Sequence, residues 1–94
     1  MTDSDKLAML KIDLGITTEA FDTRLRQYLE SAKAEIEREG ITLADSVPDD
    51  HLQIMYAAWM WRRRDTGEGM PRMLRYSMNN RLFAEKLTDE EEGS

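Results

Sequence analysis

Apolar residues recur along much of this chain at the three- and four-residue spacing of a helix that buries one face. The pattern is cleanest from Phe21 to Glu39, where Phe21, Leu25, Tyr28, Leu29, Ala32 and Ile36 form one stripe at helical spacing. Glu30, Lys33, Glu35, Glu37, Arg38 and Glu39 occupy the other side, a solvated face rather than a metal or carboxylate site, and Gly40 supplies a C-terminal stop. Ahead of it, Leu7, Ala8, Met9, Leu10, Ile12 and Leu14 predict a short first helix from Ser4 to about Asp13. Asp3 and Asp5 lie near its favourable N-terminal end and Gly15 closes it. Ile16-Thr17-Thr18-Glu19 connects the two, with hydroxyls able to cap the second helix.

In the second half, Ile41 to Pro48 is too short and too broken for a helix and reads as a loop whose Ile41 and Leu43 pack inward. Val47-Pro48-Asp49-Asp50 is a helix start, since proline is tolerated in the first turn and acidic residues complement the dipole. The third helix then runs from about Asp49 to Arg64. Asp65-Thr66-Gly67-Glu68-Gly69 reads as the most flexible internal segment. Pro71 opens a further helix whose narrow apolar side, Met73, Leu74, Ser77 and Met78, extends to about Met78, after which Asn79-Asn80 can turn the chain. Arg81-Leu82-Phe83-Ala84 is either a brief strand or more helix, and Thr88 to Ser94 reads as an acidic disordered tail. These elements make a mainly α domain over residues 1–87: a small bundle of about four helices, with room for a short C-terminal strand. No internal repeat or second domain is visible.

The third helix carries Met55-Tyr56-Ala57-Ala58-Trp59-Met60-Trp61-Arg62-Arg63-Arg64. Positions two apart on a helix point about 200° apart, so the two tryptophans cannot share a face. Trp59 lines up with Leu52, Met55 and Tyr56, and Trp61 with Ile54, Ala57 and Ala58. One side is expected to pack on the second helix; the other needs the first helix, the C-terminal helix or another subunit.

At 94 residues the chain is one domain, hiding roughly 60–65% of its unfolded surface. Its 40% hydrophobic and 34% charged content is that of an ordinary globular chain. No apolar stretch approaches the roughly 20 residues of a membrane span, and the acidic N-terminus lacks the basic start of a signal peptide, so a cytoplasmic site of synthesis and no membrane partner are expected. Without cysteine there is no disulfide or thiolate site, which agrees with a reducing compartment. The net charge of −6 is uneven: residues 1–50 carry −6, residues 51–87 carry +4 and residues 88–94 carry −4. Such polarity suits either a nucleic-acid face in the basic part or an acidic surface of one subunit meeting a basic surface of the next.

Arg62, Arg63 and Arg64 end the third helix, where cations favour the dipole. With Arg72, Arg75 and Arg81 they could form a patch that meets phosphates or carboxylates. The acidic total and the lack of a basic recognition helix weigh against DNA. Catalysis finds no support: His51 is the only histidine, no serine sits in a nucleophile motif, and Gly67-Glu68-Gly69 lacks the spacing and the lysine of a phosphate loop. No metal or cofactor is expected. Seven methionines offer adaptable packing surface, most of it core.

The order of these parts resembles the head-to-tail connector proteins of tailed phages. The pieces that carry it are Leu14-Gly15-Ile16, the helix from Phe21 to Gly40-Ile41, the Pro48-Asp49-Asp50 start, and Tyr56-Ala57-Ala58-Trp59 on an arginine-ended helix. Met70-Pro71-Arg72-Met73-Leu74 and Asn79-Asn80-Arg81-Leu82-Phe83 complete them. The resemblance covers about residues 5 to 87 and implies a non-enzymatic virion or prophage protein, made in the bacterial host cytoplasm. It implies a homo-oligomeric ring, a dodecamer by resemblance, beneath the portal protein, receiving a tail-side connector or stopper protein while DNA only passes through the channel. Carried onto this chain, Trp61, Arg62, Arg63, Arg64, Met70, Pro71, Arg72, Asn79, Asn80, Arg81, Leu82 and Phe83 are the expected subunit or portal interface. Alone, such a subunit is expected to be monomeric or weakly associated. The alternative is a small helical DNA-binding regulator that uses the Arg62–Arg64 cluster.

Overall fold

A computed structural model describes residues 1–92 as four helices: α1 (Asp3–Leu14), α2 (Asp22–Arg38), α3 (Val47–Thr66) and α4 (Arg72–Glu92). Among the described residues there is no strand. Local chemistry sets the helix ends. Thr2 and Asp5 form a reciprocal capping box on α1, the Thr2 hydroxyl accepting the Asp5 N–H at 3.1 Å and the Asp5 carboxylate accepting the Thr2 N–H at 3.2 Å. Gly15 then closes α1 in the left-handed conformation, φ 70°. The expected hydroxyl cap on α2 does not form. The Thr18 hydroxyl accepts from Ala20 N–H instead, and α2 begins after Phe21 without a side-chain cap. Ser46 caps α3 by accepting the Asp49 N–H, so that helix starts at Val47, two residues before the expected point, with Pro48 in its first turn.

α3 is the central element and packs on α2, α1 and α4. Its Leu52, Ile54, Tyr56, Ala57, Ala58 and Trp59 are buried against Leu25, Leu29, Ala32 and Ile36 of α2, Leu7 and Leu10 of α1, and Leu74 and Met78 of α4. Ile41 is buried and Leu43 half-buried, as the loop reading expected. Among the described residues Gln53 is the buried uncharged polar side chain, and its Nε2–H donates to the Leu29 carbonyl at 2.9 Å.

The fourth helix departs most from the sequence reading. Asn79 and Asn80 do not turn the chain, Arg81–Ala84 are helical rather than strand, and α4 continues through Glu92, taking in Thr88–Glu92 of the expected tail. Gly93 and Ser94 lie outside the described residues. Two asparagines cost a helix only about 0.7 kcal/mol each. Leu74, Met78 and Leu82 at four-residue steps, with Arg81 and Glu85 bridged at 2.8 Å, more than offset that. Leu82 meets the chain at Gly40, whose φ of 104° favours glycine, with Leu82 Cδ1 3.4 Å from where a Cβ would stand.

α4 is held at its middle by one arginine. Arg81 donates Nε–H and Nη2–H to the two carboxylate oxygens of Asp49 at 2.8 and 3.2 Å, Nη1–H to Glu85 at 2.8 Å and Nη2–H to the Thr42 carbonyl at 2.7 Å. Asp49 also accepts the Ala44 N–H at 2.7 Å. Burial pushes the Asp49 carboxyl up, but the Arg81 and Ala44 hydrogen bonds and the Arg81 charge together hold it below its ordinary 3.8. The Arg81 hydrogen bond likewise holds Glu85 below its ordinary 4.5.

Arg81→Ala is therefore expected to cost about 2–4 kcal/mol in urea denaturation, since it strands the buried Asp49; Arg81→Lys should recover only part, because an ammonium cannot span both oxygens. A carboxylate whose folded value is depressed stabilises above its unfolded value and loses that contribution as pH falls through the folded one. Amide exchange in α4 is thus expected to accelerate below about pH 4 before that in α2, and Arg81→Ala should remove this acid sensitivity.

Candidate functional site

The two tryptophans of α3 point to different sides, as helical geometry requires: Trp59 is buried in the core and Trp61 is half-buried beside it. Trp61 is the one that packs on α2, edge-to-face with Phe21 at 5.6 Å and with Tyr28 at 5.5 Å. Trp59 is buried on the other side, edge-to-face with Tyr56 at 5.3 Å, its Nε1–H donating to the carbonyls of Glu68 and Gly69 at 3.3 and 3.1 Å. The sequence reading left one side of α3 in need of cover. The cover comes from within the chain: the turn after α3 folds back over Trp59, and the start of α2 covers Trp61.

The three arginines that follow are exposed, yet each is engaged at home. Arg62 Nη2–H donates to the Asp13 carbonyl at 3.3 Å, joining the ends of α3 and α1. The Arg63 guanidinium stands 4.5 Å from the Trp59 ring centre, and that of Arg64 3.8 Å from the Trp61 ring centre. Arg64 Nε–H also donates to the Trp61 carbonyl at 3.1 Å, which holds the guanidinium back over that ring. These contacts leave the planar faces occupied while the outer N–H groups meet solvent. Arg72 and Arg75, exposed near the start of α4, follow Pro71, which shares a groove with Arg62, and Arg75 stands with Arg63 near Tyr56. Arg81 lies at the start of α3 instead, so the six-arginine patch considered from sequence is a five-arginine rim and a separate structural anchor.

The remaining expected interface residues divide between two faces of α4. Met70 is half-buried against the core, and Pro71 borders a groove between α3 and α4 lined also by Asp13, Met55, Ala58, Trp59, Arg62, Met73 and Leu74. Arg81 and Leu82 turn inward; Asn79, Asn80 and Phe83 turn outward. Asn79–Phe83 thus does not present a single surface. Sequence reasoning missed the outward partners of Phe83, namely Met73, Tyr76 and Leu87, all exposed. Their spacing, with Asn80 between, is a regular three-four alternation that the expected turn at Asn79-Asn80 concealed.

The other concentration of charge is buried. Asp50, next to Asp49 in the first turn of α3, accepts from the N-terminal amine of Met1 at 3.0 Å and lies 3.5 Å from Lys6 Nζ. The Asp50 hydrogen bond raises the amine above its ordinary 8.0. Asp49 and Asp50 are each paired with a base, and together with Met1, Lys6, Lys33 and Asp45 they line an open cavity of about 300 Å³. His51 is exposed, and among the described residues no three His, Asp or Glu side chains gather as metal ligands. No described helix is long and apolar enough to cross a membrane. Comparisons with protein-family models, with curated proteins and with solved structures each found no match.

Trp59→Ala, which empties a buried site, is expected to cost about 3–5 kcal/mol. Trp61→Ala should cost about 1–3 kcal/mol through the loss of its two edge-to-face pairs. Chemical denaturation of both variants measures this, and an unchanged stability for Trp61→Ala would return that ring to a purely external role.

Proposed function

We propose that the chain is a structural subunit of a phage or prophage head-to-tail connector, assembling as a homo-oligomeric ring under the portal protein and linking the DNA-filled head to the tail. The observation that carries the assembly part is a bundle with its own core closed that still exposes the five-arginine rim and the large apolar side chains of α4. The connector part rests on the resemblance in the order of elements, above all the arginine-ended α3 followed by Met70-Pro71-Arg72 and Asn79-Asn80-Arg81-Leu82-Phe83.

In this reading the surface is divided by task. Arg62, Arg63, Arg64 and Arg72 meet carboxylates of a neighbouring subunit or of the portal, a role their free outer N–H groups suit. Phe83 and the outer face of α4 contribute apolar contact, and Trp61 sets the shape of the rim from beneath Arg64. A ring needs heterologous contacts, one patch of each subunit meeting a different patch of the next, and the segregated charges of the sequence fit that need. No enzymatic step is part of the proposal, and DNA passes through the channel without being read. A DNA-binding regulator has less support, because Arg63 and Arg64 lie over tryptophan rings and Arg62 is tied to α1.

Electron microscopy and native mass spectrometry of the purified protein mixed with a portal protein test the proposal. A closed ring on the portal is expected, weakened by Arg63→Glu with Arg64→Glu. Absence of any portal complex across salt and pH removes the reading. Retarded duplex DNA at low salt, lost steeply as salt rises, would favour the regulator instead.

A further inference from the structure

α4 has two faces, and only one is used. Leu74, Met78, Arg81, Leu82 and Glu85 point toward α3 and the loop before it. Met73, Tyr76, Asn80, Phe83 and Leu87 lie on average about 200° away, at steps of three, four, three and four, with Met73 at the edge that also borders the groove to α3. The four apolar members are 73, 66, 65 and 45% exposed. This is the a/d spacing of a helix that pairs with another helix along a seam, with one polar residue, Asn80, at its centre. The seam is about 21 Å long.

The charges on α4 point to what covers it. α1, α2 and α3 each carry acidic residues in the first turn and basic residues in the last, the arrangement the helix dipole favours. α4 is reversed: Arg72 and Arg75 open it, Asp89-Glu90-Glu91-Glu92 end it, and its first turn has no acid and its last no base. Among the described residues neither Arg72 nor Arg75 makes an ion pair. A helix laid antiparallel on α4 with its own acidic end beside Arg72 and its basic end beside Asp89–Glu92 corrects both ends. The helix with that charge order and a matching apolar seam is α4 itself.

We propose that two copies of this chain pair through the outer faces of their α4 helices, antiparallel about a two-fold axis near Asn80. Met73 of one copy then lies opposite Leu87 of the other, and Asn80 meets Asn80. The four exposed side chains offer on the order of 500 Å² per copy, taking about 200 Å² for each when fully exposed. Two copies together bury about 1,000 Å², the lower bound for a specific contact. An isologous contact closes at two, and this one occupies the same outer face of α4, Phe83 included, that the connector reading gives to the ring, so pair and ring exclude each other at that face. The pair is therefore the state of the free protein, and it stands or falls apart from the connector reading.

The absence of cysteine makes any introduced thiol unique. Full-length protein is examined by analytical ultracentrifugation, and Asn80→Cys is oxidised beside Thr23→Cys, an exposed position on α2. A dimer is expected that weakens as salt rises. Asn80→Cys should cross-link into covalent dimers and Thr23→Cys should not. Phe83→Glu, at an exposed position, should keep native helicity by circular dichroism and raise the dimer dissociation constant at least about tenfold. A monomer at every concentration up to the solubility limit overturns the proposal, as does a dimer indifferent to Phe83→Glu and uncross-linked through Asn80→Cys. A ring on the portal built from monomeric free subunits overturns the pair and leaves the connector; a dimer of this kind that builds no ring does the reverse.

Discussion

Two adjacent carboxylates at the start of α3 hold the molecule together. Asp49 and Asp50 are both nearly inaccessible to water, a costly state for neighbouring charges unless each is matched. They are matched in opposite directions. Asp50 takes the N-terminal amine and Lys6, which fixes α1; Asp49 takes Arg81 and the Ala44 N–H, which fixes α4 and the α2–α3 loop. The positive end of the α3 dipole stabilises both carboxylates from within the helix. The first turn of the central helix thereby ties down α1, α4 and the α2–α3 loop, while α2 is held by apolar packing on α3, and Leu82 and Arg81 reach Gly40 and Thr42 in that loop.

This constraint explains which parts of the fold were legible in the sequence. The α2 stripe, the Gly15 and Gly40 stops and the Pro48 start are local patterns, readable within one helical turn, and they stand in the structure. The acids at positions 49 and 50 were read only as partners of the helix dipole, because their cations come from 32 residues later in one case and from the first residues of the chain in the other. Nothing near them in sequence announces those partners. The same long-range tie overrode the turn signal of Asn79-Asn80: the helix passes through because Arg81 must reach Asp49 while Leu82 reaches Gly40. Of the expected interface residues, the arginine run was legible as a cluster, since consecutive positions at a helix end must lie near one another. Its engagement with Trp59, Trp61 and Asp13 was not, because those contacts depend on how the turn after α3 and the start of α2 fold back. Trp59 and Trp61 were separated correctly by helical geometry, but periodicity gives the angle between two faces and not which element covers each, here the turn after α3 for Trp59 and the start of α2 for Trp61.

The arginine rim and the outer face of α4 differ in how much of their interaction capacity remains. Stacking over an indole and a hydrogen bond to a carbonyl already draw on the rim guanidiniums, so a partner gains only their outer N–H groups, partly screened by salt. The side chains at 73, 76, 83 and 87 keep about half or more of their surface in water, and its burial contributes about 25 cal/mol for each Å² removed. Apolar contact on α4 therefore supplies the larger share of any association free energy, and the arginines supply its orientation and selectivity. α4 is also the least enclosed of the four helices, held by one ion cluster at mid-length and by Leu74 and Met78 toward its start. A partner on its free face stabilises the helix it binds, so folding of α4 and assembly of the protein are linked through the same side chains.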